Sequence, residues 1–457
     1  MKLVLLSGGS GKRLWPLSND SRSKQFLKVL EDNNGNLESM VQRVWRQLEK
    51  LDLNESTIIA TSKSQVDMIQ SQLGKTIPII VEPERRDTFP AIALAATYLY
   101  SVKGSNLEEV VGVLPVDPYV NISFFERIKD LEATLKKSKA NLALMGVKPT
   151  FPSEKYGYIV PVQNNENEYI QVSCFKEKPS EADANKLIAQ NALWNCGVFA
   201  FKLEYVLSLL VDKGLPIQYV ELMKQYQNLE KISFDYAVVE KAEKIIALSY
   251  SGSWKDLGTW NTLTEEMGTK QIGKGIISGD STNTHLINEL DIPVTILGIK
   301  DAVIAASPDG ILVTDKSESP RVKEILKGIV QRPMYEERRW GWYRVLDHTK
   351  FKGGNEVLTK RISVKAEKNL SYQKHYARSE VWTIIKGEGL FALNDEIRTV
   401  RPGDVLVIPA EAKHAIKAIT DLELIEVQAG SQLIEEDIVR IFMTWEEVEE
   451  HCKSLVK

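Results

Sequence analysis

Glycines and cations directly follow the first apolar run of the chain. Residues 3–6 predict a buried parallel strand, and the glycine-rich residues 7–11 follow it. Glycine lets backbone N–H groups approach an anion without a side chain in the way. Lys12, Arg13 and Lys24 add positive charge at the same edge, which suits the triphosphate of a nucleotide. The pattern predicts a phosphate site, although an ordinary tight turn between strand and helix would have a similar sequence.

The spacing of this loop excludes two common phosphate-binding motifs. The chain has no G-x-x-x-x-G-K-[ST] Walker loop here, and GGSGKR does not fit the G-x-G-x-x-G of dinucleotide-binding folds. The glycines and cations nevertheless predict that this loop binds the phosphates of a nucleotide. The residues concerned are Gly8, Gly9, Ser10, Gly11 and Lys12.

A carboxylate lies where nucleotide chemistry needs one. Asp117 follows the apolar residues 110–116, at the carboxyl end of a predicted strand, where open α/β sheets bind ligands. Displacement at a phosphorus atom depends on in-line positioning, a divalent metal and cations more than on covalent help from the protein. Asp117 is therefore a candidate metal ligand. An Asp before a proline is also a common turn or helix-capping residue, and the sequence pattern alone leaves that alternative open.

A second group of candidate ligands lies near the C-terminus. Gln373 and His375 are two residues apart and therefore share one face of an extended strand, with Glu380 close behind. His414 follows at the end of a later apolar run. Two imidazoles, one carboxylate and one amide oxygen suit zinc or a similar divalent ion. The alternative is that these histidines are structural.

The chain has three regions with different sequence patterns, and these regions must position the candidate functional residues. Apolar runs alternate with stretches of helical period over residues 1–265, which predicts βαβ units and a mainly parallel sheet with helices on both faces. Residues 266–330 contain short β-rich segments between Asn, Asp and Gly turns, which predict a small β module, such as a partial β-helix. Residues 331–457 begin with an aromatic linker and continue as evenly spaced strands, typical of an antiparallel barrel or double-sheet jelly roll.

Composition limits the classes of partner. With 457 residues the chain exceeds one ordinary core, and a net charge of -4 gives no global attraction to nucleic acid or anionic membranes. No stretch reads as a membrane helix or a signal peptide, so we expect a cytoplasmic enzyme. The three cysteines have no metal-like spacing and support neither a disulfide framework nor a thiolate zinc site.

The motif GGSGKRLWPLS followed by KQFL resembles the signature of sugar-1-phosphate nucleotidylyltransferases. The resemblance is to the bacterial mannose-1-phosphate guanylyltransferases, many of which are fused to a type II mannose-6-phosphate isomerase domain. Further similar motifs follow in family order: VEPERRDTFPAIALAA, EKYGYI, FKEKP, WNCGVF, SFDYAVVEK and WKDLGTW. The resemblance implies a Rossmann-like nucleotidyltransferase domain that transfers GMP from GTP to mannose 1-phosphate, with Mg²⁺ as cofactor.

The resemblance also implies roles for individual residues. The implied catalytic residues are Arg13, Lys24, Asp117, Lys178 and Asp256, and the two aspartates among them would hold Mg²⁺. Arg86 and Asp87 join the loop as nucleotide contacts. The implied sugar contacts are Gly157, Glu177, Asn195 and Gly197.

The C-terminal region resembles the cupin superfamily and, more narrowly, the type II isomerase domain. That resemblance implies a divalent metal such as Zn²⁺ on Gln373, His375, Glu380 and His414, and activity on mannose 6-phosphate and fructose 6-phosphate. Lys360, Arg378 and Arg440 are candidates for phosphate or oxyanion contacts. Tyr376 and Ala377 replace two histidines of the family pattern.

Three functions remain open from the sequence. The chain is either a bifunctional transferase and isomerase, an active transferase whose cupin domain only binds or dimerises, or a non-catalytic sensor of sugar nucleotides. The retained Lys24, Asp117, Lys178 and Asp256 argue against the sensor. We also expect a homodimer, because the β-rich middle region offers edge strands for pairing.

Overall fold

A computed structural model of the protein describes residues 1–9, 11–19, 21–162, 168–329, 331–434 and 437–455. The described chain divides into two compact units. The first contains Met1–Leu14, Ser23–Lys270 and Thr314–Lys323, and the second contains Trp15–Arg22, Gln271–Val313 and Glu324–Lys457. The three-part division predicted from sequence, with boundaries after residues 265 and 330, stays a prediction.

The first unit is built on a nine-stranded sheet with two small ribbons beside it. Its strands are β1 (Lys2–Ser7), β2 (Leu30–Glu31), β3 (Leu37–Glu38), β4 (Thr57–Ser62), β5 (Ile79–Glu82), β6 (Val110–Pro115), β7 (Pro118–Val120), β8 (Leu142–Val147), β9 (Gly157–Pro161), β10 (Ile170–Glu177), β11 (Leu193–Lys202), β12 (Ile245–Tyr250) and β13 (Trp254–Asp256). The large sheet has the order β5-β4-β1-β6-β11-β8-β12-β10-β9. The ribbons are β2 with β3 and β7 with β13.

Helices cover this sheet. They are α1 (Met40–Glu49), α2 (Val66–Leu73), α3 (Thr88–Ser101), α4 (Ile122–Ser138), α5 (Glu181–Ala189), α6 (Leu203–Asp212), α7 (Tyr219–Lys224), α8 (Phe234–Ala237) and α9 (Trp260–Glu266). Leu3 and Leu5 of β1 pack into one hydrophobic core, whereas Val4 packs into another. Because successive strand residues point to opposite faces, two cores mean that both faces of the sheet are covered. The predicted α/β class is confirmed.

The sheet is parallel in one half and mixed in the other. β1 runs parallel to β4 and β6, and β4 runs parallel to β5, so their carboxyl ends meet at one edge. β11 is antiparallel to both β6 and β8, and β10 is antiparallel to β9 and β12. The expectation of a mainly parallel sheet therefore describes the half that carries the glycine-rich loop. The antiparallel strands were not distinguishable from parallel ones by their apolar patterns.

The rest of the chain is β-rich. Its strands are β14 (Gln271–Ile272), β15 (Gly275–Ile277), β16 (His285–Asn288), β17 (Val294–Ile296), β18 (Ala302–Ser307), β19 (Gly310–Asp315), β20 (Tyr335–Arg338), β21 (Gly341–Lys350), β22 (Glu356–Val364), β23 (Tyr372–Lys374), β24 (Arg378–Lys386), β25 (Gly389–Leu393), β26 (Glu396–Val400), β27 (Val405–Ile408), β28 (His414–Ala418), β29 (Leu422–Gly430) and β30 (Val439–Phe442). Its helices are α10 (Val322–Ile325) and α11 (Trp445–Leu455).

Short parallel strands stack in the middle region. β14, β16 and β18 pair parallel in that order, and β15 pairs parallel with β17. Leu286, Ile296, Ala302 and Ile304 fill the small core between them. This stacking is the arrangement of a partial β-helix, as the short β-rich segments predicted.

The C-terminal strands form two facing sheets. One has the order β20-β21-β22-β29-β24-β27 and the other β26-β25-β28-β23-β30. Trp382, Phe391 and Leu406 belong to the core between the sheets, and each is about 1% exposed. The structure confirms the predicted double-sheet, cupin-like fold. Across the described ranges, no helix has the length and apolar character needed to span a lipid bilayer.

The segment Trp15–Arg22 belongs to a different compact unit from the residues on either side of it. Residues Trp15–Arg22 follow the short helical turn Lys12–Leu14 after the glycine-rich loop, yet they belong to the second unit. Arg22 forms a bidentate ion pair with Glu289, in which both N–O distances are 2.9 Å. Asn19 Nδ2 donates a hydrogen bond to Asp309 Oδ2 at 2.6 Å. Ser307 also donates to the carbonyl of Pro16 at 2.7 Å. The part of the signature motif after the loop is therefore anchored on the β-helix region.

Candidate functional site

The glycine-rich loop leaves β1 over a layer of buried polar side chains. The carbonyl of Gly9 accepts from Ser23 Oγ at 2.7 Å and from Gln65 Nε2 at 3.2 Å. These bonds turn the Gly9 carbonyl inward, and a Cβ at Gly9 would meet nothing within 4 Å. The loop therefore presents open backbone, as a phosphate site requires.

The other predicted loop residues have different surroundings. Gly8 lies partly buried beside Glu82, whereas Gly11 is buried. Lys12 and Arg13 are exposed on the short helical turn that follows. Ser10, also predicted to bind the nucleotide, lies outside the described residues.

Lys24 lies between two carboxylates. Its Nζ is 2.8 Å from Asp117 Oδ2 and 2.8 Å from Asp256 Oδ1. Asp117 directly precedes β7 and Asp256 ends β13, and the pairing of these strands brings the two residues together across 139 positions of sequence. The structure thus unites three of the predicted catalytic residues.

Charge explains the protonation of this cluster. Burial acts to lower the pKa of Lys24, but the charges of Asp117 and Asp256 raise it above its usual value. Burial acts to raise the pKa of Asp256, but the Lys24 ammonium outweighs burial and holds that pKa below its usual value. Lys24 and Asp256 therefore both stay ionised at neutral pH.

A cavity of about 310 Å³ opens beside this cluster. Its walls include Gly8, Gly9, Arg86, Asp87, Asp117 and Gly197, which were predicted as nucleotide, metal and sugar contacts. Arg86 is held by the Leu229 carbonyl at 2.7 Å and by Glu84 at 2.8 Å. Asp87 has a φ of +68° and caps α3 by accepting from the Thr88 N–H. Parallel strand ends thus converge on one pocket.

The predicted sugar contacts cluster around the hairpin β9–β10. Gly157 lies opposite Glu177 in the strand register, and a Cβ at Gly157 would come within 2.6 Å of Glu177 Oε2. Lys178 has a φ of +44°, and its Nζ contacts Glu177 Oε1 at 2.6 Å. Burial acts to lower the pKa of Lys178, but the hydrogen bond to Glu177 raises it. Lys178 therefore remains a cation available to a phosphate.

Asp235 was missed by the sequence analysis. Asn195 Nδ2 donates to Asp235 Oδ1 at 2.9 Å, while Asn195 Oδ1 accepts from the Gly197 N–H at 3.1 Å. Burial and then the charge of Glu177 raise the pKa of Asp235 to about 7. Asp235 lies in the quoted motif SFDYAVVEK, but an Asp in the first turn of a helix is usually a local cap.

A second cavity, of about 620 Å³, lies on the Asp256 side. Tyr156, Trp194 and Trp254 line it, and Tyr156 packs against both indoles with ring centroids 4.9 and 5.4 Å apart. The indole N–H groups of Trp194 and Trp254 have no hydrogen-bond partner among the described residues. Sequence analysis did not identify this aromatic wall, because separated tryptophans normally indicate core packing.

The cupin-like fold brings together the predicted histidine cluster. Glu380 Oε1 is 3.3 Å from His375 Nε2, and Glu380 Oε2 is 3.5 Å from His414 Nε2. All three side chains are at most 2% exposed, and they could hold a metal ion. Gln373 also lies beside the cluster, but its Nε2 is the atom 3.3 Å from His375 Nε2, while its Oε1, the predicted ligand atom, accepts from Ser371 Oγ at 2.7 Å.

The histidine tautomers fit a metal. His375 Nδ1 bonds to the Asp437 carbonyl and His414 Nδ1 to the Ala412 carbonyl, so each Nδ1 carries the proton and each Nε2 lone pair faces Glu380. His414 Nε2 has no hydrogen-bond partner among the described residues. Burial lowers the pKa of both histidines to about 4, which keeps the imidazoles neutral. Two buried imidazole nitrogens and a carboxylate, with these atoms within 4.8 Å of one another, suit a divalent metal.

The predicted isomerase residues are not equally placed. Arg378 is buried and donates from Nε to Glu380 Oε1 at 2.9 Å. Lys360 is also buried, with its Nζ 4.0 Å from Glu426 Oε2. Arg440 lies exposed on β30, where it is in register with Gln373. Glu426 and Gln428 on β29 were missed, because their alternation resembled that of any half-exposed strand.

Both parts of the chain match known families. Residues 2–271 match the family described as Nucleotidyl transferase, and residues 329–442 match the family described as Mannose-6-phosphate isomerase C-terminal. The first match covers more than half of the chain. The chain therefore belongs to the nucleotidyl transferase family and carries a C-terminal domain of the isomerase type.

Relatives match nearly the whole chain. A Vibrio cholerae protein described as a putative mannose-1-phosphate guanylyltransferase is 30% identical over 96% of this chain and 98% of its own length. Mannose-1-phosphate guanylyltransferase 2 of Escherichia coli O157:H7 is also 30% identical, over 96% of both chains. The crystal structure of a Thermus thermophilus protein described as mannose-1-phosphate geranyltransferase is 28% identical, covers 71% of this chain and 98% of its own, and has a TM-score of 0.59.

Proposed function

We propose that the chain transfers GMP from GTP to mannose 1-phosphate and releases pyrophosphate and GDP-mannose. The observation that carries this proposal is Lys24, held 2.8 Å from both Asp117 and Asp256 beside the cavity that the glycine-rich loop lines. The names of the relatives from Vibrio cholerae and Escherichia coli support guanine and mannose as the two specificities.

The reaction forms one phosphorus–oxygen bond and breaks another. A phosphate oxygen of mannose 1-phosphate attacks the α-phosphorus of GTP, and pyrophosphate leaves with the electrons of the broken bond. Backbone N–H groups of the loop bind the phosphates, and Arg13 and Lys24 offset negative charge as it spreads. Lys178 binds the phosphate of the sugar. Glu177 accepts hydrogen bonds from sugar hydroxyls, and the amide of Asn195 donates hydrogen bonds to them or accepts hydrogen bonds from them. Catalysis then rests on positioning and charge rather than on a covalent intermediate.

Asp117 and Asp256 would hold Mg²⁺. One oxygen of each lies 2.8 Å from the Lys24 ammonium, and this spacing around one positive group supports the proposal of a shared divalent cation. Carboxylate oxygens are the ligands that Mg²⁺ prefers. When bound, the ion would stabilise charge on the nucleotide phosphates.

The test replaces one carboxylate oxygen at the centre of the site. Asp117→Asn should lower pyrophosphate release from GTP and mannose 1-phosphate by at least about 100-fold, because the shared cation loses a charged ligand. Asp130→Asn is a matched control, since Asp130 is exposed on α4 and pairs only locally with Arg127. Unchanged turnover in Asp117→Asn would remove Asp117 from the site.

We also propose that the cupin domain is a zinc-dependent isomerase of mannose 6-phosphate and fructose 6-phosphate. The cluster His375–Glu380–His414 supports it, together with the buried cations Lys360 and Arg378. Isomerisation through an enediolate needs a cation on the developing oxyanion and a base nearby. The competing proposal is a metal-stabilised module that only binds a ligand or pairs two copies of the chain into a homodimer.

Conversion of fructose 6-phosphate to mannose 6-phosphate separates these proposals. The zinc-loaded chain should convert the sugar, and His375→Ala should abolish both conversion and stoichiometric zinc binding. Pyrophosphate release measured on the same sample serves as the control for a folded chain. No conversion beside an active transferase would overturn the isomerase and favour the binding or dimerisation module.

A further inference from the structure

A layer of polar side chains lies buried beneath the glycine-rich loop. Its members lie near the ends of β1 and β4 and in or beside the short helical turns Lys24–Phe26 and Lys63–Gln65. Each of these residues is at most 2% exposed: Ser7, Ser23, Gln25, Thr61 and Gln65. Buried polar groups are unfavourable unless they bond to one another or to the backbone. The hydrogen bonds of this layer therefore indicate what it holds in place.

Ser23 bonds to the loop instead of to its own helical turn. It directly precedes the turn Lys24–Phe26, a position at which a serine usually caps a helix. Its side chain makes no capping hydrogen bond there. Instead, Ser23 Oγ donates to the carbonyl of Gly9 at 2.7 Å. The turn that carries Lys24 is therefore tied directly to the glycine-rich loop.

Gln65 completes this connection from β4. Its Nε2 donates to Ser23 Oγ at 2.6 Å and to the Gly9 carbonyl at 3.2 Å. Its Oε1 lies 3.1 Å from the Thr61 hydroxyl, which can donate to it. Both ends of the amide are therefore used. A rotated amide would direct its oxygen at the Gly9 carbonyl, which offers no donor.

The direction of the Gly9 carbonyl decides what the loop offers to an anion. In a planar trans peptide group, the carbonyl and the N–H point in opposite directions. Donors beneath the loop that hold the carbonyl inward therefore leave an N–H donor on the ligand side. Glycine has no Cβ to restrict its backbone, so the loop would not keep this orientation by itself. A carbonyl turned outward would face phosphate oxygens that also only accept.

We propose that Ser23 and Gln65 are positioning residues for nucleotidyl transfer, which hold the loop and the turn of Lys24 together so that both bind the nucleotide phosphates. This inference rests on the proposed function and deepens it. Gly9 lines the cavity of about 310 Å³, whereas the side chains of Ser23 and Gln65 do not. Both therefore act through the backbone of the loop and not by contact with the substrate.

The test is Gln65→Glu in the full chain, assayed by pyrophosphate release from GTP and mannose 1-phosphate with Mg²⁺. The substitution keeps the size of the side chain but removes the NH₂ group. Ser23 would then donate to the new carboxylate, and the Gly9 carbonyl would lose both donors. The KM for GTP should rise at least about tenfold, while the KM for mannose 1-phosphate should stay within about twofold of wild type.

Ser23→Ala tests the same role with a smaller change. It removes one of the two donors to Gly9, so the KM for GTP should rise about threefold or more, again without a matching rise for mannose 1-phosphate. It also keeps the proposal testable if Gln65→Glu does not fold. In the double variant, the rise should not exceed that of Gln65→Glu alone, because both side chains act on one carbonyl.

Thr57→Val is the matched control. Thr57 is also buried on β4, at the end of the strand opposite to the loop, and its hydroxyl donates to the Leu53 carbonyl at 2.7 Å. Loss of this buried hydrogen bond should lower the unfolding temperature and leave both KM values within about twofold of wild type.

Each failure has a separate meaning. A wild-type KM for GTP in both Gln65→Glu and Ser23→Ala would overturn the positioning role. Similar increases in the KM for GTP and for mannose 1-phosphate would overturn it as well, because the damage would not be confined to the loop. Multiplicative effects in the double variant would contradict action through one carbonyl. A wild-type chain that releases no pyrophosphate would overturn the proposed function itself.

Discussion

Asp235 is the residue on the sugar side of the site whose protonation depends most directly on its surroundings. Its carboxyl is surrounded by buried groups, accepts one hydrogen bond from Asn195 and faces the charge of Glu177. Lys178 offsets only part of that repulsion. An acid with a pKa of about 7 is half protonated under ordinary conditions, so it can either donate to or accept from a sugar hydroxyl.

Asp235 should make stability depend on pH. The folded chain keeps the Asp235 proton up to about pH 7, whereas the carboxyl in the unfolded chain loses it near its usual pKa of 3.8. Folding is therefore favoured by Asp235 at low pH, and this contribution is lost as pH rises from about 4 to about 7. Asp235→Asn should gain about 1 to 4 kcal/mol relative to the wild type on going from pH 5 to pH 8.

Thermal unfolding at several pH values checks this. The midpoint of the wild-type chain should fall more steeply than that of Asp235→Asn between pH 5 and pH 8, and Asp130→Asn should follow the wild type. Parallel curves for the wild type and Asp235→Asn would mean that the Asp235 carboxyl titrates in the folded chain as it does in water.

At the scale of elements, the hairpin β9–β10 sets the sugar side. Gly157 and Glu177 are register partners, so the missing side chain at one position makes room for the carboxylate at the other. A Cβ at Gly157 would approach Phe175 Cζ to 2.5 Å and Glu177 Oε2 to 2.6 Å, distances that packed atoms do not reach. Phe175 belongs to a hydrophobic core, so Glu177 is the side chain with more freedom to move.

Gly157→Ala should therefore displace Glu177 and weaken sugar binding. We expect the KM for mannose 1-phosphate to rise at least about tenfold while GTP binding changes less than about twofold, because the loop and β5 are untouched. Gly279→Ala is the control, since a Cβ there would meet nothing within 4 Å. Equal rises in the KM values for both substrates would indicate a general loss of structure instead of a local shift of Glu177.

The positions of helices and strands were more predictable from the sequence than the pairing between those elements. The apolar runs of β1, β4, β5, β6 and β8 and the helical periods of α1 and α3 are local signals, and the structure has an element at each. The direction of β11 and the anchoring of Trp15–Arg22 depend on pairing between distant residues, which periodicity does not encode. Asp235 was missed for the same reason, since its hydrogen-bond partner Asn195 is distant in the sequence.

At the scale of the molecule, the two proposed chemistries belong to two compact units of one chain. The proposed transferase uses a sugar phosphorylated at carbon 1, whereas the proposed isomerase uses sugars phosphorylated at carbon 6. The product of one is therefore not the substrate of the other, and a phosphate must move on the sugar between the two steps. No ligand has to pass directly from one site to the other. Removing the metal of one site should therefore lower the activity of that site and leave the activity of the other unchanged.

His414 allows a test of that separation. Its buried Nε2 lies near Glu380 and has no hydrogen-bond partner within the described ranges. Zinc should therefore stabilise the folded cupin domain by binding to this nitrogen. At a zinc concentration about 100 times the dissociation constant, this stabilisation is about 2.7 kcal/mol. His414→Ala should lose the zinc-dependent rise in the unfolding temperature of that domain and should not retain zinc through gel filtration.

The same variant should leave the other chemistry intact. Pyrophosphate release from GTP and mannose 1-phosphate in excess Mg²⁺ should stay within about twofold of wild type, because Lys24, Asp117 and Asp256 lie in the first unit. His348→Ala is the control, since His348 lies in the second unit but pairs with Glu356 rather than with the cluster. A large fall in pyrophosphate release in His414→Ala, with a folded first unit, would show that the metal centre acts on the transferase and that the two sites are coupled.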